Sequence, residues 1–196
     1  QDFVHGIVHR ALFRLEVADI ERVIAATTHA LGDLDNGEAI DAIENFQTPW
    51  TFAYIMHRML EQSGKLPTWD EFKDAVFGEY WELYWSPFCK KFNWGALTPS
   101  QRDPIGRGLR WRMAKGYYAL LREIDLLVRL RRTYRIPVRY HVLADVLFRA
   151  DGWCGNTTIS TFVVSEKYRK EDAGRKSRCD DHLHTNRFIN FSVPVP

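Results

Sequence analysis

From Val138 to Asp151 an apolar residue recurs at every second position. Val138, Tyr140, Val142, Ala144, Val146, Phe148 and Ala150 alternate with Arg139, His141, Leu143, Asp145, Leu147, Arg149 and Asp151. A two-residue period sends one set of side chains to each face of an extended chain, so this stretch predicts a strand with one buried face. Gly152, Gly155 and Asn156 follow as residues that tolerate turn dihedrals, and residues 157–164 offer a β-rich return strand. The expectation is a β-hairpin over residues 138–169.

Everything before that stretch has a helical period. Val4, Ile7, Val8, Leu12 and Leu15, then Ile20, Val23 and Ile24, predict one long helix with a break near residues 17–19, and a short helical piece is expected over residues 39–46. Thr48-Pro49 predicts a helix start, with Phe52, Ile55, Met56, Met59 and Leu60 on its buried face and a stop near Gly64. Thr68-Trp69-Asp70-Glu71 fits a capping box that opens a helix running to Ser86-Pro87. Asp103-Pro104 opens the next, which carries Leu109, Met113, Tyr117, Leu121, Ile124, Leu127 and Val128 inward as far as Ile136-Pro137. Residues 187–195 predict a last strand. The fold class is therefore α+β, a helical amino-terminal part followed by a small carboxy-terminal β-sheet.

Charge divides the chain at a different level. Residues 1–101 hold 8 Lys/Arg against 15 Asp/Glu, whereas residues 102–139 hold 11 against 3. The expected organisation is an acidic helical region, 1–101, and a region 102–196 built from a basic helix, the hairpin and the last strand, either separate or continuous. The one-sided stripe of Arg107, Arg110, Arg112 and Lys115 has the footprint of a phosphate-binding surface, and it equally suits docking on the acidic half of the same chain. Tyr80, Trp81, Tyr84, Trp85, Phe88, Phe92 and Trp94 are aromatic enough to stack on unpaired bases, but burial in a core is the commoner use of such residues.

A chain of 196 residues, 45% hydrophobic, is long enough to bury a sizeable core. Its apolar runs fall short of the roughly 18 residues of a membrane span. Cys89, Cys154 and Cys179 are odd in number and widely spaced, which argues against a disulfide framework and for a reducing compartment. The expectation is a soluble, cytoplasmic protein without a membrane partner.

A helix followed by two strands, with Asp145 or Asp151 on the first and Glu166-Lys167 on the second, resembles the core of the PD-(D/E)xK nuclease superfamily. The resemblance covers residues 120–169 and implies a restriction-endonuclease-like fold acting on nucleic acid, DNA above all. It implies Asp145 and Glu166 as ligands of Mg2+ or Mn2+, with Lys167 stabilising charge or orienting the nucleophile. Arg169, Arg175 and Lys176 add donors suited to phosphate. Two departures stand out. Ser165, and not Glu166, occupies the slot two before Lys167. Asp145 and Asp151, on one strand, would also lie about 20 Å apart and could not share a metal.

Cys154, Cys179, His182 and His184 form an alternative set, since two thiolates and two imidazoles satisfy tetrahedral zinc in a structural site. His182-Leu183-His184 also resembles the two-histidine motif of rolling-circle and relaxase endonucleases, although no tyrosine follows residue 168. Two function classes remain open on sequence alone. One is a metal-dependent nuclease-like phosphodiesterase. The other is a non-catalytic module of a mobile element or defence system, binding nucleic acid, a protein partner or a second copy of itself.

Overall fold

A computed structural model of the chain describes residues 8–26, 40–44, 46, 51–163 and 189–195. They divide into two compact units, Ala18–Leu121 and a second made of Gln1–Val17 with Arg122–Pro196. The observed class is α+β. Among the described residues no helix is long and apolar enough to cross a membrane.

The first unit is helical: α1 (Val17–Ala26), α2 (Asp41–Glu44), α3 (Thr51–Ser63), α4 (Trp69–Phe77), α5 (Trp85–Lys91) and the first part of α6 (Pro99–Arg132). Local chemistry sets the ends. Gly64, at φ +70°, closes α3 by donating its N–H to Leu60 O at 2.8 Å. The expected capping box is present: Thr68 N–H donates to Glu71 Oε2 at 2.7 Å, and Glu71 N–H returns to Thr68 Oγ1. That helix stops at Gly78, earlier than the sequence suggests. Pro87 does not end a helix but sits in the first turn of α5, where its missing N–H costs nothing. Ile55, Met56, Leu60, Phe72, Val76, Met113 and Tyr117 are fully buried, and Tyr117 donates its hydroxyl to Pro67 O at 3.0 Å.

Most of the aromatic set packs on itself within this unit. Phe88 contacts Phe46, Tyr84, Trp85, Phe92 and Trp94 with ring centroids 4.5–6.3 Å apart, and Trp81 meets Trp85 edge-on. Tyr80, Tyr84 and Phe88 are buried in the core, whereas Trp81 is exposed. The helix α6 begins one turn before Asp103-Pro104, at Thr98-Pro99-Ser100-Gln101, where Thr98 N–H donates to Gln101 Oε1 at 2.9 Å.

The second unit holds the rest of α6, then α7 (Val142–Phe148), β1 (Gly152–Cys154), β2 (Thr157–Val163) and β3 (Ile189–Val195). The sheet order is β1-β2-β3, with β1 antiparallel and β3 parallel to β2. Gly155, at φ +57°, and Asn156 make the two-residue turn between β1 and β2, whereas Gly152, expected in the turn with them, pairs with Ile159 as the first residue of β1. A bridge from Arg139 to Trp153 extends the pairing.

The expected strand over residues 138–151 is corrected. Only Arg139 pairs in β fashion, and residues 142–148 form a helix. Leu143 and Leu147 fill the supposedly polar positions, so Val-Leu-Ala-Asp-Val-Leu-Phe is an apolar run and not a true alternation. In a run that short the flanks decide. His141 supplies an N-cap, with Nδ1 accepting from Leu143 N–H at 3.1 Å, and Arg149 closes the helix in the left-handed region at φ +56°.

Candidate metal centre

Glu123, Asp145 and Asp151 converge. One carboxylate oxygen of each lies within 4.8 Å of the other two. Glu123 comes from α6, Asp145 from α7, and Asp151 from the residue just before β1. Asp145 is 9% exposed and Asp151 2%. The two aspartates that a continuous strand would hold about 20 Å apart are brought together because α7 rises only about 1.5 Å per residue and Arg149 then reverses the chain. The expectation that both cannot reach one ion is thereby overturned.

Asp151 is oriented from β2. Its Oδ2 accepts the backbone N–H of Thr161 and also the Thr161 hydroxyl, at 2.7 Å. Gly152, next in sequence, lets β1 approach α6, since a methyl there would stand 3.0 Å from Leu127 Cδ2 and 3.1 Å from Val138 Cγ1. Tyr140 is buried beside the three acids. Burial pushes its phenol well above the ordinary value, and the charges of Asp145, Glu123 and Asp151 push the same way. The ring is neutral at any ordinary pH.

Glu123 is the member that sequence reasoning missed. Its signal was present: it stands three residues after Leu120 and four before Leu127, both buried, so an acid interrupts the inward stripe of α6.

Glu166, Lys167, Arg169, Arg175, Lys176, Cys179, His182 and His184 lie outside the described residues. Cys154 is a half-buried free thiol in β1. On the basic helix Arg107 pairs with Asp103, Arg112 donates to Ile43 O, and Lys115 stands 5.8 Å from the Trp111 ring centre. Arg110 is exposed. Further along, Arg129 pairs with Asp125, and Arg131 donates to Val138 O. Much of the stripe therefore serves the fold.

Comparison with protein-family models, curated proteins and solved structures finds no match.

An all-oxygen set of three carboxylates could hold a hard divalent cation, and differs in kind from the thiolates and imidazoles of a structural zinc site. Each acid arrives from a separate element, so the centre depends on tertiary folding and not on a local motif.

Proposed function

We propose that this chain is a divalent-metal-dependent phosphodiesterase of nuclease-like type acting on nucleic acid, with Glu123, Asp145 and Asp151 holding the ion. The observation that carries the reading is the convergence of these three carboxylates, Asp145 and Asp151 at low exposure and Glu123 half-buried. A bound Mg2+ or Mn2+ would polarise a phosphoryl oxygen and make a water nucleophilic near neutral pH. The protein's own contribution is orientation: Thr161 sets the Asp151 carboxylate, and Tyr140 excludes water without adding charge.

A restriction-endonuclease-like arrangement is part of this proposal. A helix bearing an acid, an antiparallel hairpin with an acid at its entrance and a third strand parallel to β2 support it. Glu166 and Lys167 enter only through the family resemblance.

Incubation of purified protein with single- and double-stranded DNA and RNA in Mg2+ or Mn2+ tests the reading. Cleavage by the wild type, lost in Glu123→Gln, Asp145→Asn and Asp151→Asn, is expected. Cleavage that survives all three places the chemistry elsewhere. Metal-insensitive binding without cleavage leaves a binding module.

A further inference from the structure

Within the second unit, the segment before α1 is tied to residues 122–163 at two places of different chemistry. At its far end Arg132 donates to Leu15 O at 2.9 Å and Phe13 O at 3.1 Å and pairs with Glu16, while the Arg131 guanidinium lies 4.5 Å from the Phe13 ring centre. Guanidinium groups stay charged throughout the ordinary pH range. At its near end the tie is a histidine: His9, 4% exposed, accepts the backbone N–H of Val142 on Nε2 at 3.1 Å. Val142 is the first residue of α7.

We propose that His9 is a proton-sensitive clasp, holding residues 8–11 against the first turn of α7 when neutral and releasing that turn when protonated. An acceptor nitrogen must be unprotonated, so the bond to Val142 fixes the neutral tautomer with its proton on Nδ1. Protonation turns Nε2 into a donor facing another donor. It also places a cation at a helix amino terminus, where the peptide dipoles disfavour positive charge. Two titratable groups face the ring: Tyr140, edge-on at 5.1 Å, and His141, also edge-on at 5.1 Å. Tyr140 remains neutral, and His141 already spends Nδ1 on Leu143 N–H. Burial first, and His141 second, lower the His9 pKa from 6.5 to about 4.

The direction of the pH effect follows. Between pH 6.5 and about 4 the unfolded chain takes up a proton at this position and the folded chain does not, so stability falls as pH falls through that window and levels off below it. The folding equilibrium constant loses about two orders of magnitude by pH 4. Because α7 carries Asp145, release of its first turn would also disturb the proposed metal centre, and this consequence alone rests on the functional reading above.

The test uses metal-free protein, so it separates the clasp from the metal proposal. Thermal melts of wild type and His9→Gln are compared from pH 7.5 to 4; a glutamine oxygen can accept the Val142 N–H but does not titrate. The wild type should lose melting temperature through the window, and His9→Gln should lack that component. Parallel acid curves for the two proteins overturn the proposal. NMR titration of the His9 ring in the wild type gives a second readout independent of any variant: a midpoint near 4 supports the clasp, and one near 6.5 refutes it.

Discussion

Thr161 holds Asp151 with two hydrogen bonds to a single carboxylate oxygen, one from the backbone N–H and one from the hydroxyl. A group that fixes a ligand's orientation commonly changes metal affinity by roughly 10–100-fold when removed. Thr161→Val keeps the backbone bond and the side-chain shape but loses the hydroxyl. Mn2+ affinity measured by calorimetry should fall by about that range, and Thr161→Ser should restore most of it. Unchanged affinity in the valine variant would leave the hydroxyl with a structural role only.

Three ionised carboxylates this close, with Asp145 and Asp151 nearly buried, repel one another unless a cation is present. Replacing Asp145 by Asn removes one charge at nearly constant shape. In chelated protein Asp145→Asn should melt higher than wild type, and in excess Mg2+ the order should reverse, because only the wild type gains stability from the ion. Melting curves with and without metal check both halves. A variant less stable under both conditions would mean that Asp145 serves mainly as a hydrogen-bonding group.

How legible these features were depends on where the decisive information lies. The Thr68–Glu71 box and the Gly155-Asn156 turn were readable because a few adjacent residues determine them. The 142–148 segment was misread because its strand and helix patterns overlap over seven residues, and the deciding groups, His141 as cap and Arg149 in the left-handed region, act at its ends. The centre was half visible. Asp145 and Asp151 stand out in the sequence, but a strand would hold them too far apart, and nothing local to Glu123 joins it to them. Nothing local in Thr161 marks it as a partner of Asp151, since that pairing arises only from the register of β1 on β2.

Gly152 makes a separate, purely steric case. A methyl there would stand 3.0 Å from Leu127, 3.1 Å from Val138 and 3.3 Å from the Arg139 carbonyl, so either β1 or α6 must give way. Gly152→Ala should destabilise by roughly 1–3 kcal/mol, the usual range for overpacking. Because Asp151 is its neighbour, Mn2+ affinity should fall as well. Urea unfolding gives the first quantity and calorimetry the second.

The basic helix yields a prediction in which two neighbouring arginines part company. Arg112 donates to Ile43 O and is half-buried, whereas Arg110 is exposed. If this face meets a nucleic-acid backbone, Arg110→Ala should weaken binding to DNA or RNA of any sequence and reduce the slope of log affinity against log salt by about one unit, the loss of one phosphate contact. It should leave the melting temperature nearly unchanged. Arg112→Ala should do the opposite: the Ile43 carbonyl loses its charged donor, at a cost of about 1.5–3 kcal/mol in stability, while the salt slope stays as in the wild type. Titrations at several salt concentrations, paired with melts of both variants, resolve the two effects. A salt slope unchanged in Arg110→Ala would remove this face of α6 as the nucleic-acid surface and leave its charge to the folding of the helical unit.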